Sequence, residues 1–216
     1  EAQRLKRRVL EAASATGVQR PPELRATSGY VVLLEWDEGR VLGGLPLPKP
    51  TGFLVERGQL HVALWEDDAV VTLRGAQIVR RLGHPWFNHL HTLDRTPHGL
   101  LVTSSGTDLI AELDEHGELR WSFFMFEHGY GGRRTQLGAS FDRALDYNGR
   151  YLPAALTSHP NSALWVDEHT VLATLFSPGQ LVRIDRRSGR VDVILSDLRR
   201  PHAIRRRPDG GYLLSN

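Results

Sequence analysis

The 216-residue chain contains no cysteine and a single methionine. Without thiols there is no disulfide and no thiolate metal site, which leaves His, Asp, Glu and Asn as the side chains able to hold a metal. No apolar run approaches the roughly 20 residues that a helix needs to cross a bilayer. The opening segment EAQRLKRRVL also lacks the apolar centre of a signal peptide. Charge of one sign is lacking too, since 27 Lys and Arg against 25 Asp and Glu leave a net +2. The adjacent arginines Arg186–Arg187 and Arg199–Arg200 fall in turns with no aromatic platform beside them. Neither nucleic acid nor a membrane is therefore an expected partner. The expected compartment is the cytoplasm, and the missing initiator Met leaves room for a removed targeting segment. There is also no P-loop, no GxGxxG after a strand, no HExxH and no GxSxG.

What is present is a repeat. The composition, 40% hydrophobic and 24% charged, is that of an ordinary folded domain. Within it the stretch HLHTLDRTPHGLLVTSSGTDLIAELDEHGELRWSFF, residues 89–124, shares its order of short β-rich runs and turns with residues 159–195 and 50–82. Leu93 aligns with Leu164, Thr103 with Thr174 and Asp114 with Asp185, each pair 71 positions apart. Four short strands repeating at roughly 40 residues are the signature of β-propeller blades. An open β-sandwich uses similar strands and turns, but the residue-by-residue self-alignment favours the propeller.

The expected fold is thus all-β: one propeller over residues 28–216 with about five four-stranded blades, preceded by a short helix and linker over 1–27. Residues 27–45 read as a blade's last two strands and residues 200–216 as a blade's first two, so the ring is expected to close by pairing the two ends. The glycine-rich segment 126–158 reads as a degenerate blade or an insertion over one face.

In a propeller the first strand of each blade lines the channel, so residues at the blade starts converge. With Leu93, Leu164 and Ile204 in register, the position two earlier holds His91, Ser162 and His202, and Thr51 in the blade that begins PTGF. Asn88, His89, His159 and Asn161 lie just upstream or beside them. Histidine is the commonest protein metal ligand and the usual acid or base near neutral pH. His89, His91, His159 and His202 are therefore candidate ligands of a divalent metal ion. His91 and His202 are candidate catalytic groups, and Asn88, Asn161, Arg133 and Arg134 candidate substrate contacts, the two arginines as a clamp on an anionic group. The plainer use of any one such histidine is a hydrogen bond to a neighbouring carbonyl. The expected ligand is a small molecule. A non-catalytic propeller binding a ligand or protein through the same face is the alternative.

The pieces FNHLHTL, HPNSAL and RPHAI, each followed by a hairpin and a second strand rich in small polar residues, resemble the blade starts of arylsulfotransferase-like propellers. More loosely they resemble the NHL and SMP-30-like propellers. The first resemblance implies that His91, His159, Asn161 and His202 occupy positions where a channel-facing histidine accepts a sulfuryl group and its neighbours bind it. The SMP-30-like resemblance implies a metal held mainly by Glu, Asn and Asp, for which no acidic ligand is placed here.

Overall fold

A computed structural model of the chain describes residues 29–130, 141–150, 152 and 158–216. The helix expected over 1–27, and Arg133 and Arg134, lie outside the described residues.

Three four-stranded antiparallel meanders form where the repeat places them. The first is β3 (Pro50–Glu56), β4 (Gln59–Leu64), β5 (Ala69–Arg74) and β6 (Gln77–Gly83). The second is β7 (Leu90–Arg95), β8 (Gly99–Ser104), β9 (Leu109–Asp114) and β10 (Leu119–Phe124). The third is β11 (Pro160–Asp167), β12 (Thr170–Leu175), β13 (Gln180–Asp185) and β14 (Val191–Leu195). Two hairpins flank them: β1 (Gly29–Glu35) with β2 (Arg40–Leu47), and β15 (His202–Arg206) with β16 (Tyr212–Ser215).

The central strands of each meander are buried on both faces, as in Leu109–Leu113 and Val171–Leu175. Each sheet is therefore sandwiched between two others, and the core is a series of inter-sheet layers. Val62, Leu64, Val71 and Leu73 meet Leu47 of the first hairpin. Ala63, Val70 and Leu82 meet Leu93, Val102 and Ala111. Leu101, Ile110 and Phe123 meet Ala163, Ala173 and Val182. Leu164, Leu172 and Leu181 meet Ile204 of the last hairpin. First strands pack on first strands, β3 on β7, β7 on β11 and β11 on β15, which sets these four around a common axis.

The described residues build three complete blades and two half-blades, and part of segment 126–158, which carried the expected fifth blade or an insertion, lies outside them. The expected closure is corrected: among the described residues the half-blades do not pair, β1 being bonded to β2 alone and β16 to β15 alone. Within 126–158 the described residues add no strand to any sheet, so β11 packs directly on β7 and the segment inserts between consecutive blades. Part of the insertion, residues 141–150, is bonded over the start of the second blade. Asn88 Nδ2 donates to Tyr147 O (2.7 Å) and Arg150 O (2.8 Å), and Asn148 Nδ2 to His84 O (2.8 Å) and Phe87 O (3.0 Å). No helix among the described residues is long and apolar enough to cross a membrane.

Candidate functional site at the blade starts

Each blade begins in the same unusual backbone conformation. Lys49, His89, His159 and Arg200 have φ of 45°, 55°, 55° and 55°, in the left-handed region that non-glycine residues rarely occupy. The carbonyls of the first three accept the N–H of the residue that follows the second strand, Trp65, Ser105 and Phe176. This turn aligns the blades more finely than sequence could. Leu90 pairs with Ser104 and Leu93 with Val102, while Pro160 pairs with Leu175 and Ala163 with Ala173. Leu93 is therefore equivalent to Ala163, and Ile204, opposite Leu214, takes the same place. The reading that aligned Leu93 with Leu164 was one residue out, because the hairpin after β11 is one residue longer than that after β7. The set at one position is consequently Thr51, His91, Asn161 and His202; Ser162 drops to the next position, beside Thr92.

That next position locks blade to blade. Thr92 Oγ1 bonds Thr103 Oγ1 (3.1 Å) and accepts Ala163 N–H (3.4 Å) from the following blade. Ser162 Oγ bonds Thr174 Oγ1 (2.7 Å) and accepts Ile204 N–H (3.0 Å). At the first joint a glycine stands there instead, and a Cβ on Gly52 would lie 2.3 Å from His91 O.

Two buried aspartates fix the turns themselves. Asp68 and Asp108 each end the turn between a blade's second and third strands, with φ of 51° and 59°. Asp68 Oδ1 accepts the N–H of His89 (2.6 Å) and its Oδ2 that of Gly149 (2.7 Å). Asp108 Oδ1 accepts the Ser158 hydroxyl (2.5 Å). Burial pushes the Asp108 carboxyl up to about 7, against the opposing hydrogen bonds from Ser158 and from the Ser158 and His159 N–H groups. The sequence signal for this role is an Asp directly before the third strand in two successive repeats.

The histidines divide. The His89 ring is buried flat against Trp65, with centroids 3.9 Å apart and planes 2° apart, and Lys49 Nζ lies over that tryptophan at 3.4 Å. His91 and His159 come together with ring centroids 4.9 Å apart. Phe176 links His159 (5.1 Å) to His202 (5.3 Å), with the Arg200 guanidinium 5.5 Å from its ring. His202 is exposed, and its Nδ1 bonds Arg200 O at 2.6 Å. Asn161 is buried and donates Nδ2–H to Pro201 O at 3.4 Å. His91 Nε2, His159 Nδ1 and Asn161 Oδ1 are buried with no hydrogen-bond partner among the described residues. Burial, then the neighbouring His159, His202 and Lys49, lower the His91 imidazole to about 3. Burial and His202 lower His159 to about 4, opposed by Asn161. Both rings are therefore neutral at physiological pH. Asn88, by contrast, spends its amide nitrogen on holding the insertion.

Among the described residues no three His, Asp or Glu side chains are grouped to hold a metal ion. The unpartnered donors there are two imidazole nitrogens and an amide oxygen, with Lys49 among the charges that act on His91. That set does not fit a hard divalent cation. A separate cleft of about 340 Å³ lies at the far end of the first meander, around Arg57, His61, Arg74 and Arg80. Its Arg95 is engaged by Glu56 and Glu115, which makes the cleft a solvated ionic seam.

No family model matches the chain, and neither does any curated protein. Solved structures do. A protein of unknown function from Bacteroides caccae superposes with a TM-score of 0.56 at 14% identity, covering 87% of this chain and 61% of that one. Virginiamycin B lyase from Staphylococcus aureus gives 0.52 at 15%, covering 83% and 53%. Glutaminyl cyclase from Myxococcus xanthus gives 0.52 at 13%, covering 87% and 77%. The fold is that of the β-propellers. At these identities the likeness concerns the propeller fold alone, and the chain spans about half the length of the lyase it matches. The cluster lies where the first strands of successive blades begin.

Proposed function

We propose that the start of the channel is a small-molecule site, with His91, His159, Asn161 and His202 contributed by three successive blades. The observation that carries this reading is the group of unpartnered buried atoms, His91 Nε2, His159 Nδ1 and Asn161 Oδ1. Leaving a buried polar atom unbonded costs about 1–3 kcal/mol. A folded chain keeps three together where a ligand returns the bonds.

On the enzymatic reading His91 accepts a proton at Nε2 while Asn161 Oδ1 and the His159 ring orient the substrate. Hydrolysis, elimination and group transfer all use such a step. Propellers of similar fold include proteins named as a lyase and a cyclase. A histidine-to-alanine form of the lyase is catalytically inactive, which supports a histidine as the working group on this scaffold. The depressed basicity of His91 in the free protein favours the second reading, plain ligand binding, because a ring at about 3 takes a proton only when a ligand compensates its charge.

A small-molecule library screened by thermal shift against the intact chain and His91→Gln tests the site. Ligands that stabilise the parent and lose most of that shift in the variant are expected. A library whose hits stabilise both proteins equally removes the site from this part of the molecule. Turnover of a hit, lost in His91→Gln with binding retained, separates the enzyme from the binding module.

A further inference from the structure

The joints between blades are built from equivalent rows of residues. With Phe53, Leu93 and Ala163 in register, strand pairing puts His61, Thr72 and Arg80 of the first blade level with Leu101, Glu112 and Trp121 of the second. The same row in the third blade is Leu172, Arg183 and Asp192. In the second row Glu112 is bonded by Arg186 of the following blade, whose guanidinium lies over the rings of Trp121 (4.7 Å) and Trp165 (4.2 Å). In the third, Arg183 bonds Asp192 directly across the strands (2.7 Å). The first row contains no acid, and the places of the two tryptophans are taken by Arg80 and Arg95. Where indole rings fill the second joint, the first holds a cleft of about 340 Å³.

The charges of that cleft do not cancel. Arg57, Arg74, Arg80 and Arg95 line it together with Glu56 and Glu115, an excess of two positive charges. Both glutamates are engaged, Glu115 by Arg95, and Glu56 by Arg95 (3.4 Å) and Arg57 (3.8 Å). Arg74 and Arg80 bond no carboxylate among the described residues, although they stand on neighbouring strands, where like charges repel. Arg81, the next residue of the same strand, is by contrast held by Asp67 (2.9 Å). In the row of Arg80, His61 Nδ1 bonds Thr72 Oγ1 (3.0 Å), which fixes the ring and leaves Nε2 for a ligand. We infer that the cleft between the first two blades binds the phosphate dianion of a small molecule, received by Arg74 and Arg80 with His61 beside them. The guanidinium fork matches phosphate oxygens two at a time. A phosphomonoester carries about −1.5 to −2 charges at pH 7, which answers the excess, whereas a carboxylate carries one. The volume falls within the roughly 300–1,000 Å³ of small-ligand sites and leaves room for an organic part beside Val79 and Gln59. This site is separate from the one at the blade starts, since Glu56 and Arg95 end the strands that begin there.

The test is calorimetric titration of the intact chain with phenyl phosphate, inorganic phosphate and benzoate, with the imidazole NMR signals reporting the place of binding. Phenyl phosphate is expected to bind one to one and to move the signal of His61 while those of His91 and His159 stay still. Benzoate, with the same ring and a single charge, should bind roughly tenfold more weakly. Arg74→Gln and Arg80→Gln should each weaken phenyl phosphate by about tenfold, and Arg80→Lys should recover part of the loss. Arg74 is exposed, so its variant reads the lost charge even where Arg80→Gln disturbs the joint. Arg187→Gln removes an exposed charge from the turn between β13 and β14 and should leave the affinity unchanged. Inorganic phosphate separates the two sources of the dianion: binding as tight as the ester's makes free phosphate the ligand, and weaker binding makes it a phosphomonoester. Benzoate binding as tightly as phenyl phosphate overturns the inference. So does an equal weakening by Arg187→Gln, which would reduce the attraction to overall charge, or a His61 signal that phenyl phosphate leaves in place.

Discussion

At the scale of single residues, the buried titratable groups pull stability in opposite directions with pH. His91 and His159 have folded values of about 3 and about 4, below the ordinary 6.5, so the unfolded chain binds their protons more readily. Their contribution is complete above pH 6.5 and is lost as pH falls toward 4. Asp108 has a folded value of about 7, above its ordinary 3.8, so the folded chain holds that proton, and its contribution is present below pH 4 and lost as pH rises toward 7. Between pH 6.5 and 4 each group is worth on the order of 3 kcal/mol, with opposite sign. Two histidines outweigh one aspartate, so the parent protein is expected to lose about 3 kcal/mol, and melting temperature with it, on acidification across that window. Asp108→Asn removes the acid-side gain, and its melting temperature should fall more steeply on acidification than the parent's. A variant that tracks the parent at every pH shows that Asp108 does not carry a raised value. None of this was legible beforehand, since an Asp in a tight turn reads as turn chemistry. Only the structure shows that this one faces the next blade.

At the scale of elements, the four-strand order of each repeat was legible because turn residues punctuate it, such as Gly58 in a first hairpin and Gly117 and Gly189 in last hairpins. The convergence of His91, His159 and His202 followed from that order alone. The register did not. A strand repeats every two residues, so one extra residue in the β11–β12 hairpin turns Leu164 away from the place of Leu93 and brings Asn161 level with His91. Aliphatic residues on both faces of the buried strands hid the slip. The insertion was illegible as structure, since its described part is held by side-chain amides on carbonyls, which leave no periodicity. The joint between the first two blades offers a direct test of how tightly elements position the site. A Cβ at Gly52 would stand 2.3 Å from His91 O and 2.8 Å from Thr92 Cα, so β7 must shift to accept it. Gly52→Ala is expected to cost roughly 1–3 kcal/mol and to weaken ligand binding at His91. Gly43→Ala, with nothing within 4 Å, is the control and should leave both unchanged. Chemical denaturation with a ligand titration measures the pair, and equal behaviour of the two variants would mean that the blades are not in close contact there.

At the scale of the whole molecule, the two half-blades set the behaviour of the chain in solution. The hairpin β1–β2 has its inner face on Val62 and Leu64, while Tyr30, Val32 and Leu34 on its other face are exposed. The hairpin β15–β16 packs on Leu164 and Leu172 and leaves Leu213 exposed. The outer edge of β1, like that of β16, bonds no other strand among the described residues, which presents a row of N–H and C=O groups beside apolar side chains. Such edges recruit strands. The ends are also complementary in kind, because one supplies the third and fourth strands of a blade and the other the first and second. The chain of 216 residues is therefore expected to self-associate as its concentration rises through the micromolar range. Light scattering across a dilution series measures this. Val32→Lys together with Leu213→Lys places a charge on each exposed face and should shift the chain toward the monomer without touching the inter-sheet layers at Leu47 and Ile204. A parent that stays monomeric at about 100 µM, or a double variant that associates as strongly as the parent, would show that these faces are not the sticky ones.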